Sequence, residues 1–212
     1  MELTWLGHSC FSIRGKEKTV VTDPYHPDLG YLLNKPHADI VTISHFHPGH
    51  SYVEAVANNP KQVKGPGEYE IGGIFITGIA TFHDNEKGHV KGRNTVYVIE
   101  VDGLRLCHLG DLGHPLSSQL LEEIGSIDVL LLPVGEFSTI PVDIAVEIVK
   151  QVNPHVVIPM HYQTEVCGNL QSVDKFLNRM GIRDAEMKPK LLLTRTSLPT
   201  SMQIVVLSCT EL

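Results

Sequence analysis

Short apolar runs broken by turn residues fill the first half of the chain. Residues 3–6, 10–14 and 19–22 are each bounded by Gly, Asp, Pro or Lys and predict strands joined by turns. Residues 39–44, Asp-Ile-Val-Thr-Ile-Ser, are rich in β-branched side chains and predict another strand. Residues 74–79 and 95–101 predict two more. Asp102-Gly103 then separates that last run from an apolar run at 104–109, the sequence expected of a type I′ hairpin.

After Gly113 the period lengthens. Residues 117–124 predict a short amphipathic helix capped by Ser117. Residues 128–133 are continuously apolar, as in a strand buried on both faces. Residues 142–152 place Ile144, Ile148, Val149 and Val152 at helical spacing, with Asp143 where the helix dipole favours an acid. A strand at 156–159, a helix at 170–180 ending at Gly181 and a strand at 203–207 complete the pattern. Each half thus runs strand, polar loop, helix. Two sheets face to face, with helices outside both, would use every element, and such folds gather ligands in loops beyond strand ends. The expected organisation is one α/β domain spanning residues 1–212.

Composition narrows the class. A chain of 212 residues with 42% apolar side chains can bury a full core and is not disordered in bulk. No apolar run approaches the roughly 18 residues of a membrane span. The net charge of −7 leaves no basic footprint, so no nucleic-acid partner is expected. The first residues lack a basic, then apolar, export signal. Cys10, Cys107, Cys167 and Cys209 are widely spaced, with no C-x-x-C pair, and read as reduced thiols. The expected setting is the cytoplasm and the expected partner a small-molecule substrate; a homo-oligomer is compatible with all of this.

Twelve histidines are the unusual feature. Ser44-His45-Phe46-His47-Pro48-Gly49-His50 follows directly on a predicted strand. In a tight loop with Pro48 and Gly49, three imidazoles can converge, and imidazole is a preferred zinc ligand. This segment resembles the first motif of the metallo-β-lactamase superfamily, His-x-His-x-Asp-His. Further resemblances follow in order: Ile79 to Asp84, His108-Leu109-Gly110-Asp111, and Pro159-Met160-His161-Tyr162. Trp5-Leu6-Gly7-His8-Ser9 and Thr22-Asp23-Pro24 are similar to the openings of the branch that includes the ascorbate-6-phosphate lactonases.

The resemblance implies a metallo-β-lactamase-like αβ/βα four-layer sandwich. It also implies a first metal position made by His45, His47 and His83, and a second made by His50, Asp111 and His161, with Asp111 bridging. Zinc is the expected ion, with manganese or iron compatible with the same ligands. The expected reaction is hydrolysis by a metal-bound hydroxide of a phosphorylated lactone, a phosphodiester, or another small ester or amide. Asp111 would orient the attacking water.

One departure matters. The motif aspartate is Gly49 here. Losing one carboxylate leaves a two-metal centre at about +2 where the complete motif leaves about +1. The expectation is therefore one or two ions per chain with the second position weakened, and a preference for anionic substrates. Asp84, His114 and Glu68 are sequence candidates to replace the lost acid. A catalytically dead binding protein of the same fold is the alternative that Gly49 supports. Redox chemistry at a di-iron centre would need a flavin domain that the chain does not include.

Other residues have two readings each. His8 either contacts substrate at the cavity, where it would count with Asp111 as catalytic, or is a turn histidine bonded to backbone. Asp23 either fixes the tautomer of a ligand histidine or closes an Asp-Pro turn. His108 reads as structural, and Tyr162 as a buried residue satisfied by backbone. Residues 64–69 are Gly-rich but lack the Lys-Ser/Thr of a phosphate-binding loop.

Overall fold

Strand direction decides where the loops converge. The computed structural model describes residues 1–209. In one sheet β1 (Glu2–Gly7), β2 (Cys10–Arg14), β3 (Thr19–Thr22), β4 (Ile40–Ile43) and β5 (Lys61–Lys64) lie side by side, with β13 (Leu191–Leu192) outside β1. The other sheet runs β6 (Gly67–Ile71), β7 (Ile74–Phe82), β8 (Arg93–Val101), β9 (Leu104–His108), β10 (Val129–Pro133), β11 (Val156–Met160), β14 (Gln203–Ile204). A separate ribbon pairs β12 (Met187–Lys188) with β15 (Val206–Leu207).

β2 is antiparallel to both β1 and β3, and β3 is parallel to β4, so β1, β3 and β4 point the same way. By the same logic β7, β9, β10 and β11 share one direction. The two sheets pack through Leu3, Trp5, Phe11, Ile13, Val20 and Ile40 on one side, and Ile76, Ile99, Val101 and Leu106 on the other. This is the αβ/βα sandwich expected from the sequence. The Asp102-Gly103 hairpin has both residues at positive φ (54° and 74°), as a type I′ turn demands. Ser117 caps α1 (Ser118–Ile124) by accepting the Leu120 amide at 3.2 Å.

The helical layers are unequal. α1, α2 (Val142–Val152) and α3 (Val173–Arg179) all follow β9. The helix expected after the histidine loop is absent; that connection holds a single 3-10 turn at Val53–Ala55. Pro48-Gly49 and Asn58-Asn59-Pro60 confine any helix there to residues 50–57. The outer face of the first sheet is covered instead by loop side chains. Tyr25, Tyr31, Ala38 and Val56 pack on Leu6, Val21, Val41 and Ile43. β5 escapes sequence detection because it is a sheet edge with only Val63 buried. The predicted strand at 203–207 splits at Val205 between two sheets.

Tyr97 ties the sheets together. It is fully buried on β8, and its hydroxyl donates to Ile43 O at 2.8 Å and accepts from Gly65 N at 2.9 Å. Replacing it with Phe removes both bonds and strands a buried carbonyl. Tyr97→Phe should therefore lower unfolding free energy by about 1–3 kcal/mol in urea titrations; an unchanged midpoint would show the bonds to be replaced by water.

Candidate metal centre

Every predicted ligand lies just past the end of a strand that runs in its sheet's shared direction. His45, His47 and His50 follow β4, His83 follows β7, Asp111 follows β9, and His161 follows β11. His8 follows β1 and Asp23 follows β3. The sheets face each other, so these loop ends meet along one edge, as strand termini do in open α/β folds.

The histidine loop closes by a turn in which His50 N donates to His47 O at 2.9 Å. His45, His47 and His83 then offer ligand atoms all within 4.8 Å of one another. A second cluster of the same tightness comprises His8, His50 and His161. Asp111 joins the two clusters. Its Oδ2 lies 3.3 Å from His83 Nε2, 3.4 Å from His50 Nε2 and 3.2 Å from His161 Nε2. All six ligands predicted from the sequence are thus brought together.

These distances test whether a metal fits. Donors about 2.0–2.1 Å from a tetrahedral ion stand roughly 3.3–3.4 Å apart. The observed spacings match that edge length. Two orphaned atoms agree: His45 Nε2 and Asp111 Oδ1 are buried without hydrogen-bond partners. Seven convergent donors, six of them imidazoles, suit zinc, iron or manganese better than magnesium or calcium.

Asp23 and Ser44 orient the ligands. Asp23 is fully buried and accepts the Ser44 amide at 2.8 Å, the Ser44 hydroxyl, and His50 Nδ1–H at 2.9 Å. Ser44 spends its one proton on Asp23. His45 Nδ1, 2.9 Å from the same hydroxyl, must therefore donate to it. His45 is left with Nε2 bare, and His50 Nε2, facing Asp111, is freed when a metal displaces its proton. One carboxylate thereby fixes a tautomer in each half of the centre. Asp23 itself sits at φ 39°, a left-handed backbone rare outside glycine.

Charge follows from this geometry. Burial, then the neighbouring His50, lowers the pKa of His45 to about 3, so it is a neutral ligand at pH 7. Burial also opposes charge on His50, but Asp111 and Asp23 on either side outweigh it and raise its pKa to about 10. Burial raises the Asp111 carboxyl, yet His161 and His50 overcome this and hold it well below the usual carboxylate range. Between Asp23 and Asp111, positive charge is obligatory: a proton on His50, or a metal in its place.

Residues the sequence did not single out complete the scaffold. Asn94 is buried on β8. Its Oδ1 accepts the Asp111 amide at 3.0 Å, while its Nδ2 donates to Thr81 Oγ1 and Leu109 O. An Asn at the start of a strand whose next residues are mostly apolar is the available signal. Gly110, at φ 56°, lets this happen, since a Cβ there would stand 2.4 Å from Asn94 Oδ1.

Three candidates for the missing acid fall elsewhere. Asp84 is committed to backbone, accepting the amides of Glu86, Gly88, Val90 and Lys91 at 2.6–3.0 Å. His114 accepts the Phe82 amide and bonds Pro115 O, which uses both ring nitrogens. Glu68 is exposed on β6, opposite Thr77. His108 is structural, as expected: its ring bonds Ser9 O and accepts the Gly110 amide.

Three expectations follow. Asp23→Asn should weaken metal binding about 10–100-fold, by competition with a chelating dye; unchanged affinity would reduce Asp23 to a turn residue. Zinc uptake at pH 7 should expel protons, because His50 is protonated below about pH 10 in the metal-free chain. Calorimetry in buffers of different ionisation enthalpy reads this directly, and affinity should fall as pH drops. For Asp84, burial favours the neutral acid, but the four amides prevail and hold its pKa well below the normal value. Its support of the 84–92 loop is thus present above the ordinary carboxylate range and lost as pH falls below it. Asp84→Asn should speed amide exchange at Gly88 and Lys91 at neutral pH.

Known proteins bear out the architecture. The Beta-lactamase superfamily domain matches residues 2–161. A UPF0173 metal-dependent hydrolase of Methanoculleus marisnigri is 30% identical over 215 residues, covering 89% of this chain and 94% of the relative. Another, from Archaeoglobus fulgidus, is 29% identical over 195 residues, 77% of this chain and 84% of that one. A crystal structure from Thermotoga maritima, described as a candidate Zn-dependent hydrolase of the metallo-β-lactamase superfamily, is 40% identical with a TM-score of 0.81 and covers 97% of both chains. The chain belongs to the metallo-β-lactamase superfamily and is one of its metal-dependent hydrolases.

Proposed function

We propose that the chain hydrolyses a small anionic substrate, a phosphorylated lactone, a phosphodiester or a related ester, with zinc as its metal. The observation that carries this reading is Asp111 Oδ2 standing within 3.4 Å of imidazole nitrogens from both clusters. A carboxylate so placed can bridge two ions. A divalent ion there supplies Lewis acidity and a water made acidic near neutral pH.

The chain's own residues supply the rest. His45, His47 and His83 would hold one ion; His50, His161 and Asp111 would hold the other. Asp111 is the single carboxylate among the proposed ligands, so the loaded centre keeps a positive surplus that favours an anion. Lys91 adds to this field. Its ammonium donates to Ser138 O at 3.0 Å, and it is near enough to His47 to help burial and the His83 and His50 charges lower that ring's pKa. Phe46, between two ligands of the histidine loop, is 72% exposed and offers an apolar face to the organic part of a substrate.

The cytoplasmic setting belongs to the same proposal. Cys10 and Cys107 are fully buried thiols, and burial pushes Cys107 up to about 12, which makes it an inert core residue rather than a redox centre. The alternative of a dead binding protein gains nothing from the geometry, because the convergent donors persist.

A screen of phosphodiesters, lactones and thioesters with added zinc or manganese tests the substrate class. Asp111→Ala should abolish turnover of whichever substrate responds, a loss of about a thousandfold or more. Turnover of neutral esters alone, or full activity in Asp111→Ala, would overturn the proposal.

A further inference from the structure

Position 49 and His8 compete for one volume. A Cβ built on Gly49 would stand 3.2 Å from His8 Nε2 and 3.4 Å from its Cδ2, with no room for a carboxyl beyond it. The imidazole of His8 therefore fills the space toward which a side chain at 49 would extend. It is 5% exposed, and its Nδ1 is buried without a hydrogen-bond partner. Its ring centroid lies 4.1 Å from that of His161 and 4.9 Å from that of His50.

The backbone is shaped to present this ring. His8 and His161 both adopt left-handed conformations, φ 53° and 51°, which are unusual for residues with side chains. They hold each other there, since His161 N donates to His8 O at 3.0 Å. The Trp5 indole donates to that same carbonyl, also at 3.0 Å. Two strained residues from different sheets, bonded to one another and aimed at a common point, are what a binding site maintains and a core does not.

We propose that His8 is a metal ligand of the second position, serving in place of an aspartate at residue 49. The inference rests on the metal-dependent reading of the site. It gives the second position His8, His50, His161 and a share of Asp111, so that each position has three imidazoles and one shared carboxylate. The second position is then not the weakened one that Gly49 alone suggests. A complement of three imidazoles to one shared carboxylate also disfavours hard ions such as magnesium and favours zinc, cobalt or iron.

The test measures metal content and affinity in the full chain. The wild type should hold two zinc ions after dialysis. His8→Ala should retain one and bind the second about a hundredfold or more weakly, because losing a ligand costs more than losing its supporting bond. The double variant His8→Ala/Gly49→Asp should regain the second ion, since the vacated space now admits the carboxylate. In the wild type, independently of any variant, the His8 ring nitrogens should move to metal-bound chemical shifts on zinc titration. Two tightly held ions in His8→Ala, or His8 nitrogens unmoved while His50 and His161 respond, would overturn the proposal and leave the metal centre standing. A wild-type chain that binds no metal would overturn both.

Discussion

One carboxylate oxygen, Asp111 Oδ2, faces imidazole nitrogens of His50, His83 and His161 at 3.2–3.4 Å. Lone pairs at that spacing repel unless positive charge lies among them. The rest of the molecule is arranged to make this convergence possible. Strands β1, β3 and β4 share a direction in one sheet, as do β7, β9 and β11 in the other, which delivers each donor to the same edge. The buried contacts between the sheets supply the rigidity, and Tyr97 fastens them across the gap. The asymmetry of the helices fits this division of labour. The second sheet carries the parallel strands β9, β10 and β11 and their crossover helices; the first is covered by loops, and its ligand segment is a tight turn.

Much of this was legible in the chain. Apolar and β-branched runs bounded by turn residues mark most long strands, Ser117 marks the start of α1, and Asp102-Gly103 marks a hairpin whose backbone has the required positive φ values. His45, His47 and His50 are visible because a turn compresses them in sequence as well as in space. His83, Asp111 and His161 are far apart in sequence and became legible only through resemblance to a known order of motifs. What escaped has physical causes. Edge and two-residue strands bury too little to leave a pattern. Asn94 and Ser44 act through hydrogen bonds that no periodicity encodes. His8 was visible as a cavity residue, but its nearness to Gly49 depends on two sheets meeting. Asp84 and Glu68 are acids placed elsewhere and His114 is bonded to backbone, while the space beside residue 49 is filled by the His8 imidazole.

The strained residues His8, Asp23 and His161 show where folding free energy is diverted. Each left-handed side-chain-bearing residue costs on the order of 1–3 kcal/mol and persists only where its surroundings dictate it. Here they sit directly after strands, where the chain must turn sharply and still project a functional group inward. Relaxing them would bring a more stable chain and a dispersed centre.

The hydrogen bonds of Asp23 have a broader implication. Through His50 directly, and through the Ser44 hydroxyl to His45, a single buried anion sets the electron-donating strength of one imidazole in each half of the centre. The donor strengths of these two imidazoles are therefore coupled, so any change at Asp23 would be felt on both sides of Asp111 at once.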